Sequence, residues 1–310
     1  MNLEISTVFL LFVCCHFTLG ISIPYTIIEK THSDNPDLTF HKISPEDNEE
    51  ISRICGRTSD RNPRFRVGNG AFAPEGIFPW AGVIENVNGG ERLCSMSMIS
   101  RRHALTVAHC GIRQGEGVYA LAYGGNCLIG KPSIVPQSEN ECNLDNMKRA
   151  KVRAVATPDI YDKCNGPRTD ITLIELEEDV PLTPDFVPVC LPHVNTQLPS
   201  WGAFSGFGLT EDNSDRPQLR YVTLQTADFN DTVGPGAHGL VATSYAKING
   251  GDSGGPLVGW LENDDRAIQF GVCSTGYPNG EQHEITGFPD IRKYSEWICE
   301  VTGVCALPIE

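Results

Sequence analysis

Gly251-Asp252-Ser253-Gly254-Gly255-Pro256 sets one serine among three glycines and a proline. Glycine at this density marks a tight turn whose backbone must approach another group closely, and a serine at its apex is placed for nucleophilic chemistry. Serine at its ordinary pKa is a poor nucleophile, so it needs a base within hydrogen-bond reach and a third group that holds the base in the right tautomer. The chain offers both upstream: His109 in Leu105-Thr106-Val107-Ala108-His109-Cys110, and Asp170 in Thr169-Asp170-Ile171-Thr172-Leu173-Ile174-Glu175-Leu176. Each piece alone is weak, since a histidine before a cysteine or an aspartate opening an apolar run is more often structural. The three together point to a Ser-His-Asp hydrolase.

Order sharpens this reading. Unrelated folds carry the same three roles in different chain orders, and His109, Asp170, Ser253 is the order of the chymotrypsin-like barrels. On these three motifs the chain resembles the trypsin/chymotrypsin-like serine peptidases over residues 55–303. The resemblance implies an all-β architecture of two six-stranded antiparallel barrels with the cleft between them and a C-terminal helix. It also implies His109, Asp170 and Ser253 as the catalytic residues, and the N–H groups of Gly251 and Ser253 as the oxyanion hole. Ser274 stands where the family's serine hydrogen-bonds the triad aspartate, and Gly276 where the substrate backbone pairs. No cofactor and no metal are implied.

Other motifs compete. Gly251 to Gly255 also fits the G-x-S-x-G elbow of α/β-hydrolases, but acid and histidine must then follow the serine, and only His283 does, at too short a distance for the intervening elements. Gly125-Asn126-Cys127-Leu128-Ile129-Gly130-Lys131 mimics a phosphate loop, yet Pro132 stands where the metal-binding Ser or Thr is needed. Ser244-Tyr245-Ala246-Lys247 fits S-x-x-K without its companion motifs. Glu139, Glu141 and Asp145 are too loosely spaced for a calcium loop, and His103, His193, His238 and His283 show no metal-ligand spacing and read as surface or loop residues.

Along the chain, residues 1–20 read as a signal peptide: an apolar run from Ile5 to Phe17 ends at Thr18-Leu19-Gly20, too short to span a bilayer. Residues 21–66 read as a pro-segment, with seven acidic residues and two lysines between 21 and 52, no clear period, and the character of a flexible chain. Charge then flips, with Arg53, Arg57, Arg61, Arg64 and Arg66 offering sites to a trypsin-like activating protease. Residues 67–310 form the peptidase domain. Short apolar runs separated by Gly, Pro and Asn clusters predict strands at 83–87, 153–156, 171–176, 221–225 and 267–272, and a helix over 292–302 stopped by Gly303.

By the resemblance, cleavage after Arg66 frees the α-amino group of Val67 to pair with Asp252, a switch that assembles the pocket and oxyanion hole. Gly68 departs from the family's usual β-branched residue there. Lys247 stands at the base of the specificity pocket, where a cation repels basic substrate side chains, so cleavage after Arg or Lys is not expected. Asn249 and Thr275 replace the pocket's usual cysteine and tryptophan. These departures keep open an alternative: a catalytically silent protease-like binding or regulatory protein.

Ten cysteines remain once Cys14 and Cys15 leave with the signal, an even number that suggests five disulfides and an oxidising compartment. The resemblance implies Cys94–Cys110 and Cys55–Cys190, and lacks a third family bridge, since Gly202 and Gly259 occupy both ends. Cys127 and Cys142 flank and staple an insertion. Cys164, Cys273, Cys299 and Cys305 allow three pairings. Asn230 opens a glycosylation sequon. With a formal net charge of −15 the chain is no nucleic-acid binder. The expectation is a secreted, extracellular monomer acting on protein or peptide substrates, without membrane attachment.

Overall fold

The computed structural model describes residues 22–30, 38–58, 70–88, 91–112, 117–128, 146–161, 169–209, 218–228, 239–244, 248–261, 265–279 and 283–308. Among these residues the first strands in chain order are β1 (Tyr25–Glu29), β2 (Ala71–Phe72), β3 (Ala81–Asn86), β4 (Glu91–Met98), β5 (His103–Thr106), β6 (Tyr119–Tyr123), β7 (Lys148–Pro158) and β8 (Thr172–Leu176). There follow β9 (Trp201–Gly206), β10 (Arg220–Asp228), β11 (Gly239–Ser244), β12 (Pro256–Trp260), β13 (Ala267–Val272), β14 (Thr275–Asn279) and β15 (His283–Pro289). All five predicted strands are present. Helix α1 spans Pro45–Ile54 and α2 spans Ser295–Thr302.

The first sheet closes on itself in the order β7-β6-β3-β4-β5-β8, with β8 pairing back to β7. Closure removes the edges that an open sheet would leave unpaired. Met96, Met98, Leu105, Leu121, Val155, Leu173 and Ile174 are buried in its core. The second sheet runs β13-β12-β9-β10-β11-β15-β14, with β2 on β10. Ser97 on β4 donates to Gln269 on β13 at 2.8 Å, a buried hydrogen bond joining the two lobes. The terminal helix is shorter than the apolar pattern suggested, because Ile291–Lys293 forms a separate 3₁₀ turn before α2. Gly303, at φ 78°, ends α2 as predicted.

The N-terminal segment departs from expectation. Where residues 21–52 read as a flexible chain, β1 pairs antiparallel with β7, from Tyr25 opposite Pro158 to Glu29 opposite Ala154. β7 pairs with β6 only through Lys148–Lys151, so its remaining half offers an edge that β1 takes up. Phe40 is buried and stacks on His103, with ring centroids 5.9 Å apart. Ser44 caps α1 by accepting the Asp47 N–H, and Pro45 opens the helix. The helix buries Ile51 in the core of the second sheet, and its Asn48 Oδ1 accepts the Cys305 N–H at 2.9 Å. Cys55 is bonded to Cys190.

Two further corrections concern single residues. His103 lies on β5, fully buried, and is no surface residue. Of the cysteines left open, Cys299 bonds Cys305 while Cys273 is a free, buried thiol, so five disulfides do not form. The expected signal peptide, Arg66, Val67, Gly68, the calcium-like acidic residues, Cys142, Cys164, Asn230, His238 and Lys247 lie outside the described residues. Among the described residues no helix is long and apolar enough to cross a membrane.

Candidate active site

The site is assembled from three loops that the two sheets hold together. His109 sits on a 3₁₀ turn, Ala108–Cys110, directly after β5, and Gly111 closes this turn in the left-handed region at φ 77°. Cys110 is bonded to Cys94 of β4, which fixes the turn against the first barrel. Asp170 is buried just before β8, and β8 pairs with β5, so the strands that lead into His109 and out of Asp170 are neighbours. Ser253 lies in the loop ahead of β12 in the second sheet.

His109 Nε2 is 2.9 Å from Ser253 Oγ, and His109 Nδ1 is 2.5 Å from Asp170 Oδ2. A carboxylate can only accept at Nδ1, so that nitrogen carries the hydrogen and Nε2 is free to accept the serine proton. Asp170 is held from three sides: its Oδ1 accepts the His109 backbone N–H at 2.9 Å, and Ser274 donates to Oδ2 at 2.6 Å. The Asp170 hydrogen bond raises the His109 pKa above its ordinary value, against the opposing effect of burial.

The loop carrying Ser253 is anchored by backbone hydrogen bonds on both sides of the serine. Gly251 stands at φ 94° and Gly254 at φ 85°, where side chains are strained, and a Cβ at Gly254 would fall 2.1 Å from the Ser95 carbonyl oxygen. The Asp252 N–H donates to the Asn249 carbonyl at 3.1 Å, the Gly254 N–H to Cys273 and the Gly255 N–H to Asp252. The Gly251 carbonyl accepts from both the N–H and the hydroxyl of Ser95, at 2.9 and 2.8 Å. Among the described residues no acceptor takes the N–H of Gly251 or of Ser253. Two unpaired donors flanking a nucleophile are the equipment needed to stabilise a developing oxyanion.

Asp252 turns its carboxylate away from this surface. Oδ1 accepts the Gly208 N–H and Oδ2 the Asn249 N–H, each at 2.9 Å. A Cβ at Gly208 would lie 2.3 Å from the Asp252 Cγ, so only glycine there leaves room for the carboxylate. Desolvation pushes the Asp252 pKa up to about 6, although the two N–H donors and Arg220 pull it down. The anion is enclosed and under-compensated.

With this geometry in hand, the sequence matches the Trypsin family across residues 67–298. The chain belongs to the trypsin family. It is 26 % identical over 276 residues to mannan-binding lectin serine protease 1 of Mus musculus, covering 81 % of this chain and 37 % of the relative. It is 28 % identical over 275 residues to tissue-type plasminogen activator of Pongo abelii, covering 79 % and 46 %, and 26 % identical over 289 residues to transmembrane protease serine 9 of Rattus norvegicus, covering 89 % and 26 %. The chain thus spans less than half the length of these relatives.

Within this trypsin-family site, Gly276 lies on β14 opposite Thr286. Asn249, where the family has a cysteine, donates from Nδ2 to the Leu209 carbonyl at 3.0 Å, a hydrogen bond bracing the loop before Ser253. Cys127 is disulfide-bonded, and its expected partner Cys142 lies outside the described residues. Sequence reasoning passed over three residues that shape the site: Gly208 against Asp252, Thr106 against the Ser95 carbonyl, and Ser95 itself. The alternating Ser95-Met96-Ser97-Met98 reads only as a strand, and nothing in it marks one serine as different from the other.

Proposed function

We propose that this trypsin-family chain is a secreted serine endopeptidase, made as a zymogen and activated by cleavage after Arg66. The observation that carries the reading is the unbroken chain Ser253–His109–Asp170, at 2.9 and 2.5 Å, beside the two unpaired N–H groups of Gly251 and Ser253. Ser253 Oγ attacks the scissile carbonyl carbon while His109 Nε2 takes its proton, and the carbonyl oxygen becomes an oxyanion held by the two N–H groups. The C–N bond then breaks, His109 returns the proton to the leaving amine, and an acyl ester on Ser253 remains. Water, deprotonated by His109, attacks the ester and releases the acid, restoring Ser253.

The under-compensated Asp252 carboxylate supports activation by a new cation. The α-amino group of Val67 supplies one, and β2, four residues on, already lies on β10. The docked N-terminal segment, bonded through Cys55–Cys190, stays with the enzyme after the cut. We assign primary specificity away from Arg and Lys, on the cation of Lys247.

The test is to cleave the secreted protein after Arg66 and treat it with a fluorophosphonate probe. Labelling of the cleaved form, lost in Ser253→Ala, is expected. No labelling despite confirmed cleavage would overturn the reading in favour of a silent binding protein, and a peptide-library profile dominated by Arg or Lys would overturn the specificity.

A further inference from the structure

Ser95 lies on β4 of the first barrel, 1 % exposed, yet most of its polar contacts are with the other lobe. Its N–H and its hydroxyl converge on the Gly251 carbonyl at 2.9 and 2.8 Å, while its Oγ accepts the Phe207 N–H at 2.9 Å. Its own carbonyl accepts from Thr106 Oγ1, at the end of the strand that leads to His109, and its neighbour Cys94 is bonded to Cys110, next to His109. One residue therefore touches the support of the base and the support of the nucleophile.

The bond between Gly251 and Asp252 is the peptide plane that separates the two oxyanion donors. Its carbonyl is fixed by Ser95 and its N–H by the Asn249 carbonyl. A peptide plane held at both ends resists rotation, and this restrains the torsions that set the flanking N–H groups of Gly251 and Ser253. A glycine in the left-handed region is free to flip unless something holds it, and the Gly251 φ of 94° is such a case. Preorganised donors stabilise the transition state because they need no reorientation as charge develops.

We infer that Ser95 is a positioning residue, whose hydroxyl holds the Gly251–Asp252 peptide so that the oxyanion donors of Gly251 and Ser253 stay aligned across the lobe boundary. The inference rests on the serine-endopeptidase reading above. It does not depend on strand placement, because β4 stays paired with β3 through Val83 opposite Ser95, and the Ser95 N–H contact survives removal of the hydroxyl. Loss of Oγ also strips the Phe207 N–H of its acceptor in a buried place.

The experiment uses the protein cleaved after Arg66, with active sites counted by fluorophosphonate titration. Ser95→Ala is expected to lower kcat per titrated site about tenfold on a peptide amide, with KM within about twofold, and to weaken a peptide aldehyde that forms the oxyanion by the same factor without weakening product inhibition. Ser95→Cys, of similar size with a weaker donor, is expected to fall between the two and gives the reading if Ser95→Ala fails to fold. Unchanged kcat per site in the variant that folds, or a loss appearing equally in KM and product binding, overturns the inference. If the parent itself shows no turnover after cleavage, the endopeptidase reading falls with it; if the parent turns over and the variants match it, only the role of Ser95 falls.

Discussion

Among the carboxylates withdrawn from water, Glu175 and Asp252 are compensated in opposite ways. Glu175 on β8 is fully buried, but Arg153 grips it with Nε at 2.9 Å and Nη2 at 2.7 Å, and His41 of the N-terminal segment reaches it at 2.5 Å. Asp252 receives only backbone N–H groups, and its pKa is pushed up to about 6. A bidentate guanidinium matches a carboxylate in charge and shape, whereas amide dipoles supply only partial charge. Glu175 is a finished fastening between the N-terminal segment and the barrel. Asp252 has no such grip: among the described residues it makes no salt bridge, and the charge of Arg220 only partly offsets its burial.

The sharpest way to break this contrast is Asp252→Asn, which keeps the two N–H contacts in part but removes the charge that an α-amino group would meet. Cleaved Asp252→Asn is expected to lose about 100-fold in kcat/KM relative to cleaved parent, measured on a peptide amide. Retention of full activity would show that the carboxylate is no switch.

Arg153→Ala tests the other member of the pair. With its bidentate partner gone and only His41 and Arg102 left beside it, the buried Glu175 is expected to destabilise the fold by about 3 kcal/mol in urea unfolding, since an under-compensated buried charge costs more than the pair contributed. Activity per titrated site is expected to stay within about twofold, because Glu175 touches nothing in the site.

The smallest effect is on pH dependence, and it can be read on uncleaved protein. Between pH 4 and 6 the unfolded chain has already released the Asp252 proton while the folded chain still holds it, so this group makes stability fall as pH rises. His103 works the other way: burial lowers its pKa from 6.5 to about 4, so the unfolded chain binds the extra proton and stability rises over the same window. The two nearly offset one another in the parent. Asp252→Asn leaves His103 unopposed, and its urea stability, relative to the parent, is expected to gain on the order of 2 kcal/mol from pH 4 to pH 7. Parallel profiles for the two proteins would show that Asp252 is not the enclosed group.

What was legible in the sequence follows from range. The loop around Ser253 needs left-handed glycines at 251 and 254, so its turn is written into six consecutive residues, and the predicted strands are short runs whose own alternation marks them. The N-terminal segment failed for the opposite reason. Tyr25 to Glu29 is a strand because β7, more than a hundred residues later, offers an unpaired edge, and no local pattern announces a distant edge. Helix α1 did carry a local sign, Ser44-Pro45-Glu46-Asp47, which has the cap and the opening proline of a helix start inside a stretch whose acidity suggested disorder. His103 read as a surface or loop residue because no metal-ligand spacing gave it a role. Its burial depends on Ser100 meeting Nδ1 at 3.0 Å and on Phe40 covering the ring, the second a contact with that same misread segment. Ser95 was silent because its importance lies in what crosses from the other lobe.

The anchors on either side of Arg66 set a length scale. Cys55 is bonded to Cys190 and Ala71 is paired with Tyr221, so a cut between residues 66 and 67 leaves both new ends tied to the body of the protein. Four residues, Val67 to Gly70, separate the new amino terminus from the fixed strand, and extended chain gives them a reach of roughly 14 Å. One ammonium group confined to a sphere of that radius is present at an effective concentration on the order of 0.1 M. On the activation proposed above, the cation that meets Asp252 is carried by the chain itself, and its capture is independent of dilution.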